Sequence, residues 1–178
     1  MRDHWRLKAG GDGLKIRLLN FLSDVEKVAV IGVGNRFRRD DYVGVEIIRE
    51  LRDKLKSDRV LLIACEAAPE EYIESVVEFK PSHILIIDAG MMGLKPGGVR
   101  LIDFEDLAIR PAVSTHMLPL RIFCELVEEM TGARIALLSI QPRDISLGEG
   151  LTPELEGAAR GIALTLLEAL KFKSIIEE

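Results

Sequence analysis

Short runs of unbroken apolar residues alternate with longer stretches whose apolar positions recur every three or four residues, and the alternation continues along nearly the whole chain. Residues 28–32 (Val-Ala-Val-Ile-Gly) read as a buried strand ended by glycine, and residues 60–64 as a second. Residues 84–87 form a third with almost no polar interruption, as expected when both faces of a sheet are covered. Residues 99–102 and 135–140 give two more, the first set off by the turn signal Lys95-Pro96-Gly97-Gly98. Helical spacing fills residues 14–22, 42–55, 69–79 and 117–130, and a last helix opens at Thr152-Pro153-Glu154. In the second helix Val43, Val45, Ile47, Ile48 and Leu51 mark the inner face. Pro69 suits an opening turn, Ser114 or Thr115 a cap for the fourth helix, and Thr152 a capping hydroxyl ahead of a proline at the first helical position.

This pattern predicts an α/β fold: a single three-layer domain with a mostly parallel central sheet flanked by helices. Residues 1–13, polar and carrying Gly10, Gly11 and Gly13, read as a loose extension, and residues 14–178 as the domain. In such sheets the crossovers are right-handed and ligands sit beyond the carboxyl ends of the strands.

At 178 residues and 48% hydrophobic, the chain can bury one substantial core. A net charge of -5 implies no general attraction to nucleic acid or anionic membranes, which need clustered positive charge. Arg36, Arg38 and Arg39 are the local exception, ordinarily a solvated turn but able to steer an acidic partner. No apolar stretch approaches a membrane span and the N-terminus carries no signal-like core, so the expected location is cytoplasmic, without membrane insertion. Cys65 and Cys124, at no metal spacing, fit reduced core thiols. Asn20, Asn35 and Gln141 are the sole side-chain amides, a scarcity that hints at a thermophilic source.

Chemistry concentrates at predicted strand ends. Gly32-Val33-Gly34-Asn35 follows the first strand, but a dinucleotide fingerprint needs a third glycine where Phe37 stands. These glycines are expected to let the backbone turn tightly and admit a bulky partner. Asp40 and Asp41 precede a helix, where acids are ordinary caps and dipole partners; Asp40 is expected to cap and Asp41 to point into the crevice. Asp88 directly follows four aliphatic residues, and a carboxylate there must be paired or hydrogen-bonded. His116 lies in Ser114-Thr115-His116-Met117, and His4 and His83 are taken as solvated side chains. Two carboxylates and an imidazole form an incomplete coordination shell suited to nickel, zinc or another divalent first-row metal. Residue by residue, only Asp88 exceeds its ordinary structural role. Cys124 reads as core, Cys65 has no evident base, and Glu66, Glu70 and Glu71 form an acidic helix start from which Glu66 could reach the crevice.

Five stretches, taken together, resemble the NiFe-hydrogenase maturation endopeptidases, in particular the type that processes formate-hydrogenlyase and archaeal membrane hydrogenases. They are VAVIGVGNRFRRDDYVGVEII, CEAAPEEY, IIDAGMMGLKPGGVRLID, STHMLPLRIF and SIQPRDISLGEGLTPELEGAA. The resemblance implies an endopeptidase that removes the C-terminal extension of the nickel-loaded large-subunit precursor. It implies that Asp41, Asp88 and His116 are the catalytic and metal-reading residues, with the nickel supplied by the substrate and another divalent metal able to stand in for it in vitro. Arg38 and Arg39 stand where relatives often have small residues. The alternative is a non-catalytic module that binds nickel or a metallochaperone, against which the absence of a histidine-rich tract counts.

Overall fold

The structure, a computed structural model, describes residues 11–66, 68–107 and 117–173. Helix α1 (Gly11–Phe21) leads into strand β1 (Val28–Val33), and a 3-10 turn, Arg39–Tyr42, runs directly into α2 (Val43–Arg52). Strand β2 (Val60–Cys65), a second 3-10 turn (Pro69–Tyr72) and α3 (Ile73–Phe79) follow, then β3 (His83–Ala89) and β4 (Val99–Asp103). The short α4 (Phe104–Leu107), the long α5 (Met117–Thr131), β5 (Arg134–Ile140) and α6 (Pro153–Phe172) complete it. Helix α1 takes in Gly11–Gly13, which the sequence assigns to a loose extension; residues 1–10 lie outside the described part, as do Ser114 and Thr115.

The five strands lie in the order β2-β1-β3-β5-β4. All neighbours are parallel except β4, which runs antiparallel to β5. The exception follows from connection length. A parallel partner needs a crossover of about a dozen residues or more, and residues 90–98 are too few to supply one.

Side-chain alternation along the strands divides the core in two. Val30, Leu85, Ile87 and Leu138 face α1, α2 and α6, against Leu18, Ile47, Leu51 and Leu166. Ile31, Ile84, Ile86 and Leu137 face α3 and α5, against Val76, Phe123 and Val127. The three layers expected from the sequence are therefore present, with β3 in the middle of the sheet.

The first turn of α2 lies unusually close to the strands. A Cβ on Gly44 would sit 2.2 Å from the Ile87 carbonyl oxygen and 2.5 Å from that of Val33, and one on Gly32 would sit 2.0 Å from the Gly44 oxygen. The glycines ending β1 thus admit the chain's own helix, correcting the expectation that they make room for a bulky partner. The close helix–strand contact that a dinucleotide fingerprint assigns to its third glycine is made here by Gly44, from the helix side.

His83 also departs from expectation. It is not solvated but buried at the start of β3, 2% exposed. Its ring meets Phe21 edge-on at 5.1 Å, and Nδ1 lies 3.0 Å from the Ser82 hydroxyl. Nε2 lies 3.5 Å from Asp24 Oδ1, beyond hydrogen-bonding range. Desolvation holds the imidazole below its ordinary pKa, and the nearby Asp24 carboxylate offsets this only in part. The unbroken apolar run at 84–87 placed the strand but not its first residue, because His83 is covered by a helix more than sixty positions earlier in the chain.

Two outcomes are expected. Gly44→Ala gains about 1 kcal/mol of helix propensity but drives a methyl into two backbone oxygens, so denaturant titration should show a net loss of about 3 kcal/mol or more. Because the folded pKa of His83 lies below the unfolded value, the unfolded chain binds the extra proton. Neutral His83 therefore contributes its stability above the ordinary imidazole pKa of about 6.5 and loses it as pH falls through the folded value. Tm measured from about pH 7.5 down to 5.5 should fall more steeply in the wild type than in His83→Gln.

Candidate functional site

The four parallel strands end at one edge, and three loops leave it around β3: residues 34–38, 90–98 and 141–152. Asp88 is the next-to-last residue of β3. Alternation turns it to the α3/α5 face, and it is wholly buried. The Ala89 backbone N–H donates to Asp88 Oδ1 at 2.9 Å. Asp88 is level with Ser139 of β5, which is level with Arg100 of β4, so three polar residues from adjacent strands share one level and one face. Each of the three is engaged in a polar interaction. Ser139, the one hydroxyl in the run Arg134–Ile140, carried no weight in the sequence reading because nothing local distinguishes it from a solvated strand position.

Asp41 lies in the 3-10 turn Arg39–Tyr42, which packs against β3. It is 3% exposed, and the Asn35 N–H donates to its Oδ2 at 2.9 Å. The structure therefore brings Asp41 and Asp88 to the same sheet edge. His116 falls outside the described residues; α5, whose first residue is Met117, packs on the face to which Asp88 turns. Among the described residues no three His, Cys, Asp or Glu side chains form a group that could hold a metal ion. Two carboxylates, each with one oxygen oriented by a backbone N–H, are what this edge presents, and hard oxygen donors of this kind suit a divalent cation.

Asp40 does something the sequence reading did not foresee. It is wholly buried and does not cap the helix that follows it. Its Oδ2 accepts the backbone N–H of Arg143 at 2.9 Å, that of Asp144 at 3.0 Å and the Thr152 hydroxyl at 2.9 Å, while Oδ1 accepts the Thr152 N–H at 2.7 Å. The Thr152 hydroxyl consequently makes no capping bond to α6, which corrects that expectation. The same two loops are laced by backbone bonds, with the Arg39 N–H donating to the Gly148 oxygen at 3.0 Å and the Gly148 N–H to the Phe37 oxygen at 2.9 Å. Arg38 Nε donates to the Ile145 oxygen at 3.2 Å, and Arg39 Nε lies 3.3 Å from Asp144 Oδ2, so this basic turn is partly a fastening. Arg39 has φ 46°, a left-handed conformation costly for a residue with a Cβ and held here by the bonds on either side.

Gln141 fastens the third loop. Its Oε1 accepts the N–H groups of Met92 at 2.7 Å and Leu94 at 3.2 Å, and its Nε2 donates to the Pro142 oxygen at 3.2 Å. Its backbone N–H donates to the Gly98 oxygen and its oxygen accepts the Gly97 N–H, both at 2.8 Å. The usable sequence signal was its rarity: a lone glutamine directly after a buried strand.

Burial pushes the Cys124 thiol up to about 12, with Glu128 and Glu125 adding to it, so it is a core residue and no thiolate nucleophile. Cys65 is buried and already engaged. Glu66 is exposed at the end of β2 and accepts the Tyr42 hydroxyl at 3.3 Å, which ties it to the turn bearing Asp41. Desolvation of that hydroxyl raises the Tyr42 pKa. Among the described residues no helix is long and apolar enough to cross a membrane.

The family model for hydrogenase maturation proteases matches residues 45–169, a span that includes Asp88 and His116 and begins just past Asp41. The chain is 31% identical to hydrogenase 3 maturation protease of Escherichia coli K12 over 130 residues, 73% of this chain and 82% of that one. It is 30% identical over 165 residues to a Methanocaldococcus jannaschii protein provisionally named a hydrogenase maturation protease, covering 89% of this chain and 96% of that one. Among solved structures, a NiFe-hydrogenase maturation protease from Thermococcus kodakarensis KOD1 superposes with a TM-score of 0.79 at 31% identity, covering 87% of this chain and 99% of that one.

Replacing Asp40 by Ala should strand three backbone donors and a hydroxyl in a buried site, at a cost of about 3 kcal/mol or more. Hydrogen exchange checks the cause directly: the amides of Arg143, Asp144 and Thr152 should lose protection ahead of those in β3.

Proposed function

Starting from the fact that this chain belongs to the hydrogenase maturation protease family, we propose that it removes the C-terminal extension of a NiFe-hydrogenase large-subunit precursor once nickel has been inserted. The reading rests on one observation above all: two acidic side chains, Asp41 and Asp88, nine-tenths or more buried, are set by separate segments at the carboxyl edge of the sheet. Each carboxylate has one oxygen oriented by a backbone N–H, and oxygen donors brought to a loop-lined edge in this way suit a divalent cation.

In this proposal the nickel is part of the substrate. It enters on the precursor's own cysteines, and Asp41, Asp88 and His116 complete its coordination, so that only a loaded precursor docks. A divalent cation held there polarises a carbonyl or lowers the pKa of a nearby water. The chain's own contribution is orientation. The Asn35 and Ala89 N–H groups fix one oxygen of each carboxylate, and the two loop fastenings at Asp40 and Gln141 hold the surrounding loops in one shape. Hydrolysis adds water across the scissile amide, with a proton passing through a neighbouring carboxylate to the leaving amine.

Mixing the protein with nickel-loaded precursor should release a short C-terminal peptide, followed by mass spectrometry, while nickel-free precursor stays whole. Asp41→Ala, Asp88→Ala and His116→Ala should each slow processing by about a hundredfold or more with the fold retained. Capture of loaded precursor without any cleavage would instead favour a binding module, and processing that survives all three substitutions would remove the ligand assignment.

A further inference from the structure

Large apolar side chains are displayed on the three loops that surround the end of β3. Phe37 is 56% exposed, Met91 57% and Leu147 84%. They come from the loops after β1, β3 and β5, all of which leave the same sheet edge. Single exposed apolar residues are ordinary on protein surfaces, but a group of them on one rim is less so. What separates this rim from loose loop tips is how firmly its backbone is held. Phe37 and Leu147 flank the bonds that the Arg38–Gly148 bridge and the buried Asp40 carboxylate impose, and Met91 adjoins the residues gathered by the buried Gln141 amide. Gln141 Nε2 also approaches Met91 Sδ at 3.7 Å. Holding the backbone that carries exposed apolar side chains lowers the entropy lost when a partner orders these loops.

We infer that Phe37, Met91 and Leu147 form the docking rim for the precursor segment flanking the scissile bond, an extended stretch with large apolar side chains next to an acidic one. The inference rests on the processing role proposed above and adds what grips the substrate beside its metal. Extension follows from the chemistry, since a backbone bond must be exposed to reach Asp41 and Asp88. The apolar requirement follows from the rim. The acidic neighbour follows from charge, because the Arg36 guanidinium lies 5.3 Å over the Phe37 ring and exposed Arg38 is the next residue in the chain.

The test compares the wild type with Phe37→Ser, Met91→Ser and Leu147→Ser, singly and combined, on nickel-loaded precursor. Calorimetric Kd is measured alongside kcat and KM, with Leu164→Ser, an apolar position 53% exposed on α6, as control. The triple variant should keep its Tm and kcat while KM and Kd rise about tenfold or more, the control staying at wild-type values. Unchanged Kd in the triple variant overturns the rim. If the wild type binds precursor without cutting it, the protease reading fails, and a weaker Kd in the triple variant still supports the rim. A wild type that forms a dimer which the triple variant loses, at unchanged precursor Kd, overturns the inference in favour of a second copy as occupant.

Discussion

Asp40 places a carboxylate where no solvent reaches it, and four donors from more than one hundred residues further along make that tolerable. A buried acceptor of this kind binds whatever supplies its hydrogens, because losing even one strands a polar group in a medium that cannot replace it. Here the suppliers are the loop after β5 and the start of α6. Through them Asp40 fixes where α6 begins, keeps Arg39 in a conformation it would not choose, and sets the turn from which Asp41 projects. Gly44 bears on the same region from below. It lets α2 lie against the Val33 and Ile87 carbonyls, so the turn before α2 has no freedom to lift away from the strand that carries Asp88.

The parts of this arrangement that depend on local pattern were legible in the sequence. Short, largely apolar runs marked the five strands, helical spacing marked the elements between them, and Asp88 stood out because a carboxylate after four aliphatic residues has few places to go. What was not legible depends on partners distant in the chain. Asp40 and Asp41 look alike as neighbours ahead of a helix, yet one gathers donors from residues 143–152 while the other accepts the N–H of Asn35 six positions away. Thr152 has every local mark of a cap, but its hydroxyl, which would accept a helix N–H in that role, donates to the Asp40 carboxylate. His83 was misjudged for the same reason, since Phe21 covers it from another element.

Asp40 and Gln141 divide the work at this edge. One carboxylate gathers the loops after β1 and β5, and one amide gathers the loop after β3. Neither needs to touch a substrate. Both are buried polar groups satisfied largely by backbone donors, so changes to loop side chains can proceed without loosening the frame. That separation of frame from display lets a rigid edge carry exposed residues such as Arg36 and Phe37, on which the frame does not depend.

The reach of Asp40 also has a consequence in time. Thr152 lies 112 positions beyond it, and β5, which flanks the strand carrying Asp88, ends at Ile140. A chain emerging from synthesis therefore displays its early acidic turn long before the donors that hold Asp40 exist. The edge is completed only once the chain has been made through Thr152, so a chain stalled short of it lacks the frame around Asp40 however well its first strands have paired.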